Sequence, residues 1–357
     1  MPSHEKSESI ISDNYITLLE WTYTAVFYVF SCFTLYDLIY AKSLLKPFVD
    51  NFTMDSINYV LITSLSIGIV VLNPLLASRA HENRVKYYQL WREYQIKYEQ
   101  YTFSKLNLGS SIFIFSVIIC GIIATTLELA ANCLLTSQFT SAYVYVYWLI
   151  YFYTNFTTVL WVTDCHLLAN ASENLINRLL MMAMKTSSDK IDDTLEPRVF
   201  GRYVELWRKL SNMTGRLIET GRGLYDLNFF IQSVIVIQAF YGIAGLYIGQ
   251  HQSIHYNIYY PTAIWSILNL IVLCEAAYSV TSQVGFKTMV AIQSMACSKF
   301  SLETQEQIFM ALKTIQSDSP EITVGGYFTL DRVYLITYLG VAISYIIVLV
   351  QFKIGTL

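Results

Sequence analysis

Seven long apolar stretches divide the chain and limit the folds it can adopt. A helix of about 20 residues, at roughly 1.5 Å per residue, crosses a bilayer core of about 30 Å. Only 14% of the residues are charged, whereas soluble domains carry about 25%. The sequence therefore predicts an all-α, polytopic membrane protein with seven transmembrane helices. The stretches are Thr22–Ala41, Ile57–Ala77, Ser110–Leu135, Ala142–Asp164, Phe229–Gly249, Ala263–Phe286 and Leu330–Phe352.

Lysine and arginine are distributed unevenly between the two sides of this arrangement. Of the 23 basic residues, only Lys42, Lys46 and Lys353 fall in the first, third or fifth connection or in the C-terminal tail. Because basic connections stay in the cytosol, we expect a cytosolic N-terminus and an extracellular C-terminus. G-protein-coupled receptors have seven helices in the opposite orientation, so the charge distribution argues against that class.

Parts of the predicted cytosolic segments carry apolar stripes at helical spacing. Aromatic residues recur four and three apart over Tyr87–Tyr101, and a second stripe runs over Tyr203–Leu217. Such stripes are typical of packing surfaces, so we expect helices that extend the second span and precede the fifth. A short helix over Glu303–Gln316 should end at Ser317–Pro320, and Gly325–Gly326 should begin a bend into the last helix.

The last apolar stretch carries an amide, Gln351, at its end. An amide costs free energy in lipid unless it faces protein or water. Ser344 and Ile347 fall on one face of this helix, which suits the wall of a water path. The spacing alone fits a Gln351 at the level of the lipid headgroups better than it fits a pore wall.

The end of this helix resembles a known sequence signature. Tyr345, five hydrophobic residues and then Gln351-Phe352 are similar to the signature of insect gustatory receptors, in which a Thr-Tyr pair precedes the apolar residues. Ser344 stands where that family has the Thr. The segment Gly326–Asp331 is also similar to the family's entry into its last helix, and the seven-span pattern extends a weaker resemblance over the whole chain.

This resemblance implies a ligand-gated, non-selective cation channel, related to insect odorant receptors, in the plasma membrane of chemosensory neurons. It implies four subunits, identical or related, around one pore that has Gln351 and Phe352 at its narrowest part. Ser344, Ile347 and Val348 would face the same path. A small tastant would bind in a pocket in the outer half of each subunit.

Three regions follow from this interpretation. Residues 1–286 would hold six transmembrane helices with their cytosolic extensions and the outer ligand pocket. Residues 287–329 would form a cytosolic anchor region with a short helix, and residues 330–357 the pore helix and a short outer tail. Permeant cations and membrane lipid are the other expected partners.

Polar and aromatic side chains inside the spans are the candidates for the ligand pocket. A carboxyl at membrane depth is costly, so it marks either a hydrogen-bonded structural group or the lining of a water-filled pocket. Aromatic rings one turn apart, with nearby amides, suit a small polar or alkaloid-like ligand, and packing is the alternative role for each residue. The candidates are Glu128, Tyr147, Tyr151, Gln238, Tyr241, Trp265, Asn269 and Glu275.

No enzyme activity, cofactor or nucleic-acid partner is predicted, because the sequence shows no catalytic, phosphate-binding or base-stacking motif. His251 and His255 are four residues apart and could hold a metal, although solvated loop histidines are far commoner. Asn51 is the Asn-x-Ser/Thr site predicted to be extracellular and is the candidate glycosylation site.

Two other function classes stay open at this point. One is a seven-helix chemoreceptor that signals through a cytosolic partner, and the other is a transporter. The absence of an internal repeat argues against the transporter. Sugars, bitter compounds and carbon dioxide are all compatible ligands of such a receptor.

Overall fold

Helices make up almost all of the described part of the chain. The computed structural model describes Val29 and Cys32, both helical, and residues 54–108, 111–136, 141–188, 197–221, 223–247, 259–295 and 300–355. The first predicted span, Thr22–Ala41, therefore lies outside the described residues except for Val29 and Cys32, as do Asn51, His251 and His255 entirely. The helices are α1 Met54–Thr102, α2 Ser111–Thr136, α3 Ser141–Ser188, α4 Pro197–Gly215, α5 Leu217–Thr220, α6 Leu224–Tyr247, α7 Tyr259–Ser282, α8 Thr288–Gln293, α9 Leu302–Ser317 and α10 Arg332–Gly355.

The remaining six predicted spans fall on helices α1, α2, α3, α6, α7 and α10, so the all-α class is confirmed in the described residues. Two helical stretches there, Leu224–Ala244 and Tyr259–Gln293, are long and apolar enough to cross a membrane. Ile112–Glu128 and Arg332–Val348 are shorter apolar helical stretches.

The C-terminal parts of α1 and α3 form, together with α4, a bundle with an aromatic core. The stripe on α1 buries Tyr87, Tyr94 and Tyr98, and α4 lays Tyr203 and Trp207 against the same cluster. Burying one such side chain, compared with leaving it in water, stabilises the folded state by roughly 2 kcal/mol. Both stripes that the spacing predicts as packing surfaces are therefore confirmed.

A π-helical turn, Gln283–Lys287, joins α7 to α8 in one continuous helical stretch. A π turn leaves a backbone carbonyl without its usual i→i+4 partner. Here Ser172 and Thr288 donate hydrogen bonds to the Gln283 carbonyl at 3.2 and 3.0 Å, and Trp207 Nε1 donates to the Val284 carbonyl at 2.8 Å. Side chains of α3 and α4 thus hold the turn in place.

A hairpin connects α9 to the last helix. Strands β1 (Thr323–Val324) and β2 (Phe328–Thr329) pair antiparallel. Gly325 and Gly326 have φ angles of 58° and 76°, a backbone conformation that glycine adopts without a steric penalty. The predicted bend is therefore a tight hairpin turn.

Helix α10 begins directly after this hairpin. The Asp331 carboxylate accepts a hydrogen bond from the Tyr334 backbone N–H at 2.7 Å and so caps the helix. The helix packs mainly against α6 and α7. Ala342 is buried on the packed side, and Tyr338 donates a hydrogen bond to the Ser233 carbonyl of α6 at 2.6 Å.

Candidate functional site

A buried amide, Asn155 of α3, is the centre of a polar cluster in the transmembrane bundle. Its Nδ2 donates to Thr125 Oγ1 at 3.0 Å and lies 3.5 Å from Glu128 Oε2. Its Oδ1 accepts from Trp265 Nε1 at 3.1 Å and from Asn269 Nδ2 at 3.2 Å. Two donors and two acceptor sites are all that an asparagine side chain has, so every one of them is used.

Three helices meet in this Asn155 cluster. Thr125 and Glu128 are three residues apart on α2, and Trp265 and Asn269 are one turn apart on α7. The indole N–H of Trp265 can only donate, so it fixes the orientation of the Asn155 amide. Asn155 itself is 3% exposed, and in such surroundings a hydrogen bond is stronger and an unmade one costs more. The cluster therefore ties α2, α3 and α7 together.

Three of the eight predicted pocket residues, Glu128, Trp265 and Asn269, are brought together here. Asn155 is not among the pocket residues that the sequence predicts, although an amide in the middle of an apolar stretch is a signal that marks it. Glu128 and Asn269 are buried, whereas Trp265 is partly exposed. A carboxyl, an indole and amides side by side suit a small ligand that has both polar and apolar parts.

Four further predicted pocket residues lie on α3 and α6. Tyr151 is buried on α3, one turn before Asn155, and Gln238 and Tyr241 are buried on α6. The Gln238 amide nitrogen has no hydrogen-bond partner among the described residues. Tyr147 lies in α3, but its side chain is outside the described part.

Glu275 lies apart from the Asn155 cluster. Its side chain is half-exposed on α7 and forms an ion pair with Arg332, the first residue of α10. Two guanidinium nitrogens take part: Nε donates to Oε2 at 2.9 Å and Nη2 donates to Oε1 at 2.5 Å. The guanidinium carbon also lies 4.2 Å from the centre of the Tyr278 ring.

The predicted pore residues lie on the side of α10 away from α6 and α7. Ser344, Ile347, Val348 and Gln351 are all exposed in the single chain. Ser344 donates a hydrogen bond to the Gly340 carbonyl of its own helix at 2.8 Å. Phe352 continues the helix, and its side chain is outside the described part.

An apolar cleft lies beside α4, remote from the Asn155 cluster along α3. It encloses about 330 Å³, including its open mouth, between α3, α4, α8 and α9. Leu179, Trp207 and Ile292 are among its lining residues. In the described residues no group of three His, Cys, Asp or Glu side chains could hold a metal ion.

Comparison with known proteins decides the family. The sequence profile of the 7tm Chemosensory receptor family matches residues 14–356. The chain belongs to this family. The receptor is accordingly a membrane protein and not an enzyme, and the resemblance seen in its last helix is confirmed.

Curated relatives agree with this assignment. The receptor is 24% identical over 337 residues to "Gustatory and odorant receptor 21a" of Drosophila melanogaster, a match that covers 92% of this chain and 71% of the relative. It is 22% identical over 349 residues to "Gustatory and odorant receptor 22" of Anopheles gambiae, with 94% and 70% covered. Insect chemosensory receptors are thus its relatives along most of its length.

A solved structure shares the fold. The insect olfactory receptor OR5 from Machilis hrabei superposes with a TM-score of 0.62 at 14% identity, covering 92% of this chain and 89% of the other. The chain therefore shares its overall fold with this receptor.

Proposed function

We propose that this receptor is a gustatory receptor that works as a ligand-gated, non-selective cation channel, opened by a small tastant that binds beside the Asn155 cluster. The observation that carries the proposal is the cluster itself, because it places polar groups of three helices in the buried part of a chemosensory receptor. The signature at the end of α10 favours gustatory over odorant function.

Ligand binding would act on the bonds that Asn155 makes. A tastant that offers its own donor or acceptor to Glu128, Trp265 or Asn269 exchanges one of these bonds for another and changes the separation of α2, α3 and α7. Such a ligand opens the channel only if it binds the open state more tightly. A tenfold difference in affinity supplies about 1.4 kcal/mol per subunit.

The pore would form where four copies of α10 face one another. The exposed face that carries Ser344, Ile347, Val348 and Gln351 has the polar and apolar mixture expected beside a water path. Phe352 would close the path as an apolar constriction from which water withdraws, and Gln351 would replace part of the hydration of a passing cation. The subunits are identical or related, and the assembly lies in the plasma membrane of chemosensory neurons.

The pocket is tested by Trp265→Phe, which keeps an aromatic ring and removes the N–H that donates to Asn155. Whole-cell current is recorded from cells that express the receptor, with sucrose, quinine and dissolved carbon dioxide as separate probes. For the probe that evokes current, we expect the half-maximal concentration to change about fivefold or more, because one buried hydrogen bond is worth about 1 kcal/mol. Surface expression and unitary conductance should stay unchanged.

Asn174→Ala is the matched control for this substitution. Asn174 lies on α3 near its inner end and donates only to the backbone carbonyls of Asn107 and Asn170. An unchanged concentration dependence in Trp265→Phe would remove Trp265 from the pocket. Current that requires an added G protein would favour a receptor that signals through a cytosolic partner, and probe uptake without current would favour a transporter.

A further inference from the structure

The first residue of the proposed pore helix is held by a side chain in the middle of α7. Arg332 begins α10, and its guanidinium meets the Glu275 carboxylate through two hydrogen bonds of 2.9 and 2.5 Å. The Tyr278 ring, on the same face of α7 and one turn further on, lies under the guanidinium at 4.2 Å. One helix thus supplies both a carboxylate and a ring to a single arginine, which restricts its direction as well as its position.

The same helix α7 contributes to the Asn155 cluster. Asn269 donates to Asn155 and precedes Glu275 by six residues, or about 9 Å along the helix. Asn269 is buried whereas Glu275 is half-exposed, so the two side chains leave α7 on different sides. Helix α7 therefore stands between the polar cluster on one side and the start of α10 on the other.

A displacement of the cluster would reach α10 through the contacts of α10 with α6 and α7. Helix α10 packs mainly against α6 and α7, and its other side is exposed in the single chain. Tyr338 joins α10 to a backbone carbonyl of α6, whereas the Glu275–Arg332 pair joins the charged start of α10 to α7. Glu275 also lies inside the sixth predicted span, where an ionised side chain without a partner is costly.

We propose that the Glu275–Arg332 pair couples the ligand site to the pore, so that a displacement of α7 moves the start of α10. Glu275 is then a positioning residue and not a ligand-binding one. This inference rests on the proposed channel function. It assigns to Arg332 a role that the sequence alone does not indicate, because 57 residues separate it from Glu275.

The experiment is a charge exchange. Glu275→Arg, Arg332→Glu and the combined exchange are expressed, and surface receptor is counted on intact cells. The current evoked by whichever of sucrose, quinine or dissolved carbon dioxide activates the parent is divided by the basal current. Each single reversal is expected to lower this ratio about tenfold, and the exchange to restore it to within about threefold of the parent.

Lys209→Glu is the matched control. Lys209 forms an ion pair of 3.1 Å with Glu93 between α4 and α1, away from α10, so its reversal should leave the ratio unchanged. A ratio that stays at the parent value in both single reversals overturns the coupling role. So does an exchange that conducts no better than the single reversals at equal surface expression, because the effect is then not one of pairing. If the parent itself carries no current under any probe, the channel function fails, and the coupling inference fails with it for that separate reason.

Discussion

Asn155 shows how much of the candidate site a single residue can organise. Only an amide side chain can give two hydrogen bonds and receive two, so neither aspartate nor threonine could join Thr125, Glu128, Trp265 and Asn269 in the same way. The sequence predicts Glu128 because a carboxyl is costly inside a span, and it predicts Trp265 and Asn269 from their one-turn spacing. Asn155 stands out in the sequence only as an Asn-x-Thr site within an apolar stretch.

Glu275 shows the opposite case at the same scale. The sequence identifies it as an unusual carboxyl, but no local rule connects it to Arg332, which lies on another helix. Pairing of distant residues depends on how the helices pack. The type of residue was thus predictable, and its partner was not.

Glu205 of α4 provides a pH-dependent test of stability. Hydrogen bonds from Lys97 and from Tyr101, the latter at 2.9 Å, lower the pKa of the Glu205 carboxyl. A carboxylate with a lowered folded-state pKa stabilises the fold above its unfolded pKa of about 4.3, and this contribution is lost as the pH falls below that value. We therefore expect Glu205→Gln to lower the melting temperature of the detergent-purified receptor slightly at pH 7, with a difference from the parent that closes toward pH 3.

The partner substitution checks the cause. In a Lys97→Met background, Glu205→Gln should change the melting temperature less than it does in the parent, because the strongest hydrogen bond to Glu205 is already absent. A difference between parent and Glu205→Gln that stays constant from pH 7 to pH 3 would contradict the assignment.

Among the helices, those with a regular apolar period could be predicted and those with a local irregularity could not. The stripes of α1 and α4 repeat every three or four residues, and both are buried as the spacing predicts. The π turn at Gln283–Lys287 inserts one residue into an otherwise regular helix, which shifts the apolar pattern too little to be recognised. In the structure, Ser172 and Trp207, from other helices, donate hydrogen bonds to two of its carbonyls.

Gly285 lies in this turn, and we expect that only glycine fits there without a steric clash. A Cβ atom added there would lie 2.6 Å from Ser319 Oγ, in the segment that follows α9. Gly285→Ala is therefore expected to destabilise the receptor by about 1–2 kcal/mol, measured as a lower melting temperature, and Ser319→Ala should recover most of the loss.

Gly201→Ala in α4 is the control: its new methyl group would meet nothing closer than Gln307 Oε1 at 3.9 Å, and alanine favours a helix by up to about 1 kcal/mol. Equal effects of the two alanine substitutions would exclude the contact with Ser319 as the reason.

At the scale of the whole molecule, two of the exposed apolar surfaces of the single chain differ in composition. One is the outer face of α2, where Ile112, Phe115 and Leu127 are exposed, as expected of a surface that faces lipid. The other is the free face of α10, which differs because Ser344 and Gln351 interrupt it. The sequence predicts both helices as membrane spans, but periodicity alone cannot tell lipid from a second copy of the chain.

Cysteine accessibility separates these two environments on α10. If four copies of α10 surround a water path, Ser344→Cys and Ile347→Cys should react with a membrane-impermeant cationic thiol reagent added outside while the channel conducts, and the current should fall as they react. Ala342→Cys, on the packed side at 1% exposure, should react far more slowly. The parent supplies the background rate, since Cys32 and Cys120 are exposed.

Reaction at position 342 as fast as at 344 and 347 would mean that α10 is solvated all round. No reaction at any of the three positions would place the exposed face against lipid, and the pore would have to be formed by another helix.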